Sequence, residues 1–340
     1  MFKLYFLWFV GICLSLFDAF EFDVHVINIE SFGAKPDDRT SEVVSQNTRI
    51  LESSLKEGSN KRIVVPNSGI FYVNRGIYIE NLENSVIEIN GILSFRYGYE
   101  YEARDEYERP VSCLSFVHTK NVTFTSVSDN RGMIDGGGRR WWGLPFWGYV
   151  ERKEDRPFLL QMNRTENLIL EKLSFHEAPF YTIKLDNVNG VVIRYVSIVN
   201  RRTVANFHSW LDLSAFNTDG IDVAGHNVHV HDVDIWNQDD CIAVKDNFED
   251  GISSNMTFER ISASGLGLVI GSIGNTHVRN ITFRDSILYR TVKGLYLKFR
   301  ISILTSENSG IIENILYDNI TIEEPMQYGV WIGPAQQAGR

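Results

Sequence analysis

The feature that most restricts how this chain can fold is a nine-residue pattern that returns along its second half. It begins at Asn167 and recurs from Gly190, Asn227, Asn255, Asn280 and Asn314, at intervals of 23 to 37 residues. Within a copy such as Asn227-Val-His-Val-His-Asp-Val-Asp-Ile235, apolar and polar residues alternate. Alternation of period two, with spacers of this size, describes stacked strand-bearing coils and not a packed helical domain.

A second run follows the copies: Asp219-Gly-Ile-Asp-Val223, Asp240-Cys-Ile-Ala-Val244, Leu266-Gly-Leu-Val-Ile270, Lys293-Gly-Leu-Tyr-Leu297 and Tyr328-Gly-Val-Trp-Ile332. Aligned on their second residue, a glycine in four runs and Cys241 in the other, Ile221, Ile242, Leu268, Leu295 and Val330 form one apolar column, and Val223, Val244, Ile270, Leu297 and Ile332 a second. Residues two apart on a strand share a face, so both columns point into the coil. Asp222, Ala243, Val269, Tyr296 and Trp331 then point outward, as do Lys245 and Lys298. The expected fold is all-β, a parallel β-helix in which each coil buries its inner face only when neighbours stack on it. One helix is expected near the start, capped by Thr40, with Val44, Ile50, Leu51 and Leu55 on its apolar side and Gly58 after it. Its task is to plug the open end of the coil stack.

At 340 residues the chain is long enough for two domains or one elongated repeat. No linker composition divides it, so one elongated domain over residues 20–340 is expected. Residues 1–19 read as a signal peptide, because Lys3 precedes an uncharged apolar run from Leu4 to Phe17, with cleavage near Ala19. That run is too short to span a bilayer comfortably, so the expectation is a secreted protein with no membrane partner. The net charge of −10 argues against nucleic acid, and it repels a polyanion unless a local basic patch intervenes. With Cys13 removed by cleavage, Cys113 and Cys241 remain and their pairing is open. Five sequons, at Asn121, Asn163, Asn255, Asn280 and Asn319, read either as glycosylation sites or as turns leading into strands. After Ile332 no capping element follows, so truncation at the C-terminus stays open.

The chemistry resides in carboxylates. Asp219 and Asp240 occupy the same position in consecutive coils, with Asp239 beside them. Neighbouring strands lie ~4.8 Å apart, so these side chains are close. Strict alternation turns them inward, which costs several kcal/mol or more, so a turn at Gly220 is expected to swing Asp219 to the outer surface. Crowded carboxylates cannot all ionise freely, and a divided pair supplies the acid and the base of glycosidic hydrolysis. A calcium site or a solvated acidic turn explains the spacing equally well at this stage.

Asn217-Thr-Asp-Gly220 and Gln238-Asp-Asp-Cys241 resemble the two acidic motifs of the polygalacturonase family, glycoside hydrolase family 28. Phe32-Gly-Ala-Lys35, Ile134-Asp-Gly-Gly-Gly-Arg-Arg-Trp-Trp142, Arg156-Pro157, Ala178-Pro-Phe-Tyr-Thr-Ile183 and Gly267-Leu-Val-Ile-Gly-Ser272 agree with it in order. The resemblance implies a right-handed β-helix, usually a monomer, that hydrolyses α-linked galacturonate chains of pectin with inversion and without metal or other cofactor. Carried onto this chain, Asp239 is the general acid, Asp219 and Asp240 orient and deprotonate water, and Asn217 holds substrate or water. Inversion implies roughly 6.5–9.5 Å between acid and base carboxyls. Two positions depart from the family pattern. Leu266 stands where the family has a histidine, and Tyr296 stands in place of the arginine of Arg-x-Lys, leaving Lys298. Lys245, one coil earlier, is expected to compensate in part, so Lys245, Tyr296 and Lys298 join Asn217 as substrate-binding candidates. Ser262 falls where relatives carry a cysteine, which implies a free, buried Cys241.

Other features are weaker. His229 and His231 share a strand face but lack a third ligand. Gly265-Leu-Gly267 lacks dinucleotide-loop spacing. Trp141, Trp142 and Trp147 either stack on sugars or pack a loop. The two departures keep a non-catalytic carbohydrate-binding homologue, and a hydrolase of a less acidic glycan, as alternatives.

Overall fold

The computed structural model describes residues 25–97, 111–127, 132–143, 156–300 and 310–335. The leader segment, Trp147 and the last five residues lie outside these. Among the described residues the strands join one parallel sheet in which each coil pairs with the next, a parallel β-helix. Its apolar core is continuous from Ile29 to Leu288, filled by columns of isoleucine, valine, leucine and phenylalanine.

The two columns form in the expected register. Ile221 pairs with Ile242, Leu268, Leu295 and Val330 in succession, and Val223 with Val244, Ile270, Leu297 and Ile332. On the outer side Asp222, Ala243, Val269, Tyr296 and Trp331 stack likewise. On the last coil Val330 and Ile332 are exposed, because no further coil covers them among the described residues.

Long strands such as Ile183–Val199 and Ile221–Trp236 bend at corners where single residues take left-handed backbone angles. Asparagine suits these corners, since its short polar side chain tolerates positive φ and bonds locally. Asn121, Asn167, Asn227, Asn255, Asn280 and Asn314 all lie between φ 53° and 57°. Their amides form a ladder: Asn121 Nδ2 donates to Asn84 Oδ1 at 2.8 Å, and Asn280 Nδ2 to Asn255 Oδ1 at 3.1 Å. Gly190 interrupts the stack, and a Cβ there would lie 2.7 Å from Asn167 Oδ1. Four of the sequon asparagines, Asn121, Asn255, Asn280 and Asn319 (φ 51°), are therefore corner residues first.

The helix α1 spans Ser41–Lys56, as the cap and Gly58 imply. It buries Val43, Val44, Leu51 and Leu55, while Ile50 is only half-buried. Each buried aliphatic side chain contributes about 1.5–3 kcal/mol, enough to hold the helix over the first coils. Asn47, fully buried, ties it down by donating Nδ2 to the carbonyls of Lys35 and Tyr72. Thr40 occupies the N-cap in an extended conformation but makes no side-chain capping bond. No helix among the described residues is long and apolar enough to cross a membrane.

Candidate active site

Asp219 and Asp240 meet because the register of their coils leaves no alternative. Ile221 pairs with Ile242, and the Gly220 amide donates to the Asp240 carbonyl at 2.9 Å. Gly220 answers a close approach of the two coils: a Cβ there would lie 2.3 Å from the Cys241 carbonyl oxygen. Both aspartates line a cleft of about 460 Å³ outside the core, together with Asn217, Asp222, Asp239, Lys245 and Lys298. The expectation of an open outer surface needs correction, however. Asp219, Asp239 and Asp240 are only 2%, 4% and 1% exposed, on the floor of that cleft. Nearby ammonium groups make such burial tolerable, because desolvating a carboxylate is costly only when it lacks a partner.

The partners differ from one carboxylate to the next. Lys298 Nζ donates to both oxygens of Asp240, at 2.8 and 3.1 Å. Lys245 Nζ lies 3.3–3.4 Å from oxygens of Asp219, Asp222 and Asp240. Asp239 is held by amides instead: Asn217 N and Nδ2 donate to its Oδ2 at 3.2 and 3.3 Å, and Asp240 N donates to Oδ1 at 2.9 Å. Asn217 itself sits at φ 56°, a corner that aims its amide at the acid. Among the described residues, Asp219 Oδ1 and Asp222 Oδ1 are buried acceptors without a donor.

These surroundings split the protonation states. Burial alone would raise the Asp240 carboxyl, but Lys298 and Lys245 hold it below the ordinary carboxylate range. Burial, then the charge of Asp240, pushes Asp239 up to about 6. Burial likewise lifts Asp222 to about 6 against the pull of Lys245. Asp219 is raised well above its usual value by burial and by Asp222 and Asp239. One carboxylate stays charged while its neighbours hold protons more tightly.

One oxygen from each of Asp219, Asp239 and Asp240 lies within 4.8 Å of the others. That is closer than the gap of roughly 6.5–9.5 Å expected for an inverting pair, and nearer the ~5–5.5 Å usual in retaining enzymes. The trio also offers convergent oxygens for a cation. Lys245 and Lys298 already supply positive charge at those oxygens.

Of the remaining candidates, Lys245 and Lys298 reach the cleft and Tyr296 does not. Tyr296 is 2% exposed, packed with Ala243, Val269 and Trp331 on the outer strand faces. The ammoniums of Lys293 and Lys298 cover its ring at 4.7 and 4.6 Å. Leu266 is half-buried, and its backbone N–H donates to the Asp239 carbonyl at 2.7 Å. Asp222 was legible as outward but not as part of the site. Its cross-strand partner Lys184 also lines the cleft, as do Tyr181 and Arg300. The outward column one coil earlier carried that signal. His208 was unmarked in sequence; it stacks on Trp236 and bridges Gln238 Oε1, one residue before Asp239, and Ser264 Oγ, each at 2.9 Å.

Other features resolve plainly. His229 and His231 lie on an outer face, engaged with Glu259 and Asp232. Trp141 and Trp142 are buried and pack a loop; Trp142 Nε1 donates to the Ala178 carbonyl. Cys113 and Cys241 are free and buried. Ser262 is exposed, so it is not the position facing Cys241. Gly265 is: a Cβ there would lie 2.7 Å from Cys241 Sγ.

Residues 56–337 match the family described as Glycosyl hydrolases family 28. The chain belongs to this family. A polygalacturonase of Cryptomeria japonica is 26% identical over 315 residues, covering 87% of this chain and 54% of that protein. The chain spans about half the length of the curated relatives it matches first, 54% and 55%. Among solved structures, the endo-xylogalacturonan hydrolase of Aspergillus tubingensis superposes with a TM-score of 0.65 at 20% identity, covering 88% of this chain and 77% of the other. An exopolygalacturonase of Thermotoga maritima gives 0.63 at 19% identity, over 88% and 75%. These likenesses establish the fold of this family 28 member as the right-handed, pectin-lyase-like β-helix.

Proposed function

We propose that the protein is a secreted polygalacturonase-like glycoside hydrolase that cleaves α-linked galacturonate chains of a pectin-like polysaccharide. The observation that carries this reading is the convergence of three carboxylates in one cleft, with ammonium groups on Asp240 and only amides on Asp239. Asp240 is kept ionised by Lys298 and Lys245, while Asp239 keeps its proton up to about pH 6. Asp239 gives that proton to the glycosidic oxygen as the bond from the anomeric carbon to that oxygen breaks. A water attacks the anomeric carbon and passes its proton to Asp240, with Asp219 orienting it. The unpartnered Oδ1 of Asp219 is a natural acceptor for such a water. Asn217 then serves by aiming Asp239, and Lys245 and Lys298 face the substrate carboxylates in place of the lost arginine.

Inversion remains the proposed stereochemistry despite the tight cluster, since every candidate nucleophile is engaged by a cation or shares a proton. Proton NMR of the first-formed product settles it: an inverted anomer is expected, and a retained anomer excludes this route. Reducing-sugar release from polygalacturonate, abolished by Asp239→Asn, tests the activity itself. Activity should fall as pH rises past about 6, where Asp239 loses its proton. No release from any acidic polysaccharide would remove the hydrolase reading.

A second reading, hydrolysis of a less acidic glycan, is favoured by the burial of Tyr296 and by the cleft's own acids. A faster rate on neutral-sugar-decorated galacturonan than on polygalacturonate would select it. If oligosaccharide binds saturably and is recovered unchanged, the protein is a binding homologue instead.

A further inference from the structure

On the amino-terminal coils a second cleft, of about 370 Å³, opens beside the first turn of α1. Arg39, Arg96, Arg139 and Arg140 line it, with one acid, Glu177. Glu177 is spoken for by Arg139, at 2.5 Å. In a chain of net charge −10, four guanidinium groups around one cavity form a local positive field. Two of them are set in place. Arg39 Nη2 donates to Tyr72 Oη at 2.7 Å and lies over that ring, and Arg96 Nη1 donates to Ser41 Oγ at 3.0 Å. Arg140 is exposed and makes no ion pair or side-chain hydrogen bond among the described residues. The first helical turn borders the cavity at Val44; Thr40 offers no side-chain cap to its amides, and Glu42 on the same turn offsets their charge. Tyr97 supplies a flat apolar wall, whereas the Tyr72 ring is buried beneath Arg39.

The register fixes where this cleft lies. Tyr72, Ser94, Asp135, His176, Val199 and Trp236 form one cross-coil column. Arg96, Arg139 and Glu177 follow the early members of that column, whereas Asp219 and the Asp239–Asp240 pair lie in the turns after the last two. At ~4.8 Å per coil, Arg139 and Arg140 stand two to three coils and Arg96 three to four coils from the carboxylates, roughly 10–19 Å along the axis. The cavity has room for one or two sugar rings.

We propose that this cleft is a second saccharide site, taking a uronate unit of an acidic polysaccharide with its carboxylate against the guanidinium forks and its ring face on Tyr97. Planar bidentate recognition of a carboxylate is the chemistry arginine serves best, and the Tyr97 ring favours a sugar over a bare ion. The proposal deepens the galacturonan reading by giving the polymer a hold outside the reacting centre. Its test does not require turnover.

The full chain carrying Asp239→Asn is titrated calorimetrically with trigalacturonate, its methyl-esterified form, a sulfated neutral trisaccharide and xylotriose. Two binding events are expected with trigalacturonate. Adding Arg96→Gln and Arg140→Gln should remove one of them, weakening it at least tenfold, with the thermal midpoint unchanged. The methyl ester and xylotriose should leave the second site empty. Equal binding of either, or a double variant that keeps both events, overturns the proposal. Stronger binding of the sulfated sugar than of trigalacturonate overturns the uronate assignment. Hydrolysis is measured separately on the chain with Asp239 intact, so an inactive protein that still binds at the arginines would sink the hydrolase reading alone.

Discussion

The coils carry two polar stacks of opposite character. At one corner, Asn121 and Asn167, and farther along Asn255, Asn280 and Asn314, each donate Nδ2 to the asparagine one coil earlier. That stack is neutral, and every amide is both donor and acceptor, so the repeat satisfies itself. In the cleft, Asp219 and Asp240 repeat the same coil-to-coil register with groups that, when ionised, only accept. They cannot answer each other, so Lys245 and Lys298 reach in from outside the pair, and Asp219 Oδ1 stays unanswered. A repeat stack whose hydrogen-bonding capacity closes within itself holds the fold. One that stays open keeps capacity for a substrate or a water.

The largest expected effect separates the stacks by function. Asp239→Asn should lower kcat/KM on polygalacturonate by at least 10³-fold, about 4 kcal/mol of transition-state stabilisation, with the fold intact by circular dichroism. A variant keeping a tenth of the rate would mean that the open stack carries no proton transfer. Next in size is Lys298→Met, which leaves the buried Asp240 with Lys245 as its one cation. A loss of about 3 kcal/mol in urea unfolding at pH 7 is expected. The Asp240 carboxyl is depressed in the folded state, so the stability it contributes exists above the unfolded value and disappears as pH falls through the folded one. The deficit of Lys298→Met should therefore shrink in acid; a deficit that is constant with pH would mean lost packing alone.

Asp222 works with the opposite sign. Its folded value is raised from 3.8 to about 6, so its stabilising contribution is full below about pH 4 and is lost as pH rises through about 6. At pH 7 its burial is a burden. Asp222→Asn should then gain about 2 kcal/mol at pH 7 and little at pH 4, read from paired urea titrations. No gain at pH 7 would show that Lys245 already balances the charge.

The coil architecture was legible in sequence because alternation and repeat are local: the columns through Ile221 and Val223, and α1 after Thr40, form as the pattern dictates. The meeting of Asp219 with Asp240 was legible for the same reason. Depth was not. Alternation tells which side of a strand a residue takes but not what overhangs it, so the shielding of the three acids and the burial of Tyr296 came only with the loops and neighbouring side chains. His208 was invisible because it enters from a non-repeating segment, where no period predicts its neighbours. Ser262 misled because family position is not side-chain direction: alternation turns it outward while Gly265 meets the sulfur.

The smallest expected effect probes the closed stack. Asn280 donates to Asn255 at 3.1 Å, accepts from Asn314 at 3.5 Å, and sits at φ 57°. Alanine there would combine lost hydrogen bonds with a strained backbone, whereas glycine takes positive φ freely and removes the amide alone. Asn280→Gly should therefore cost about 1 kcal/mol in urea unfolding. Because no proton titrates at this corner, that cost should be the same at pH 4 and pH 7, and reducing-sugar release should be unchanged. A pH-dependent loss would mean that the ladder is coupled to the carboxylates through the intervening core, and the two stacks would then have to be treated as one system.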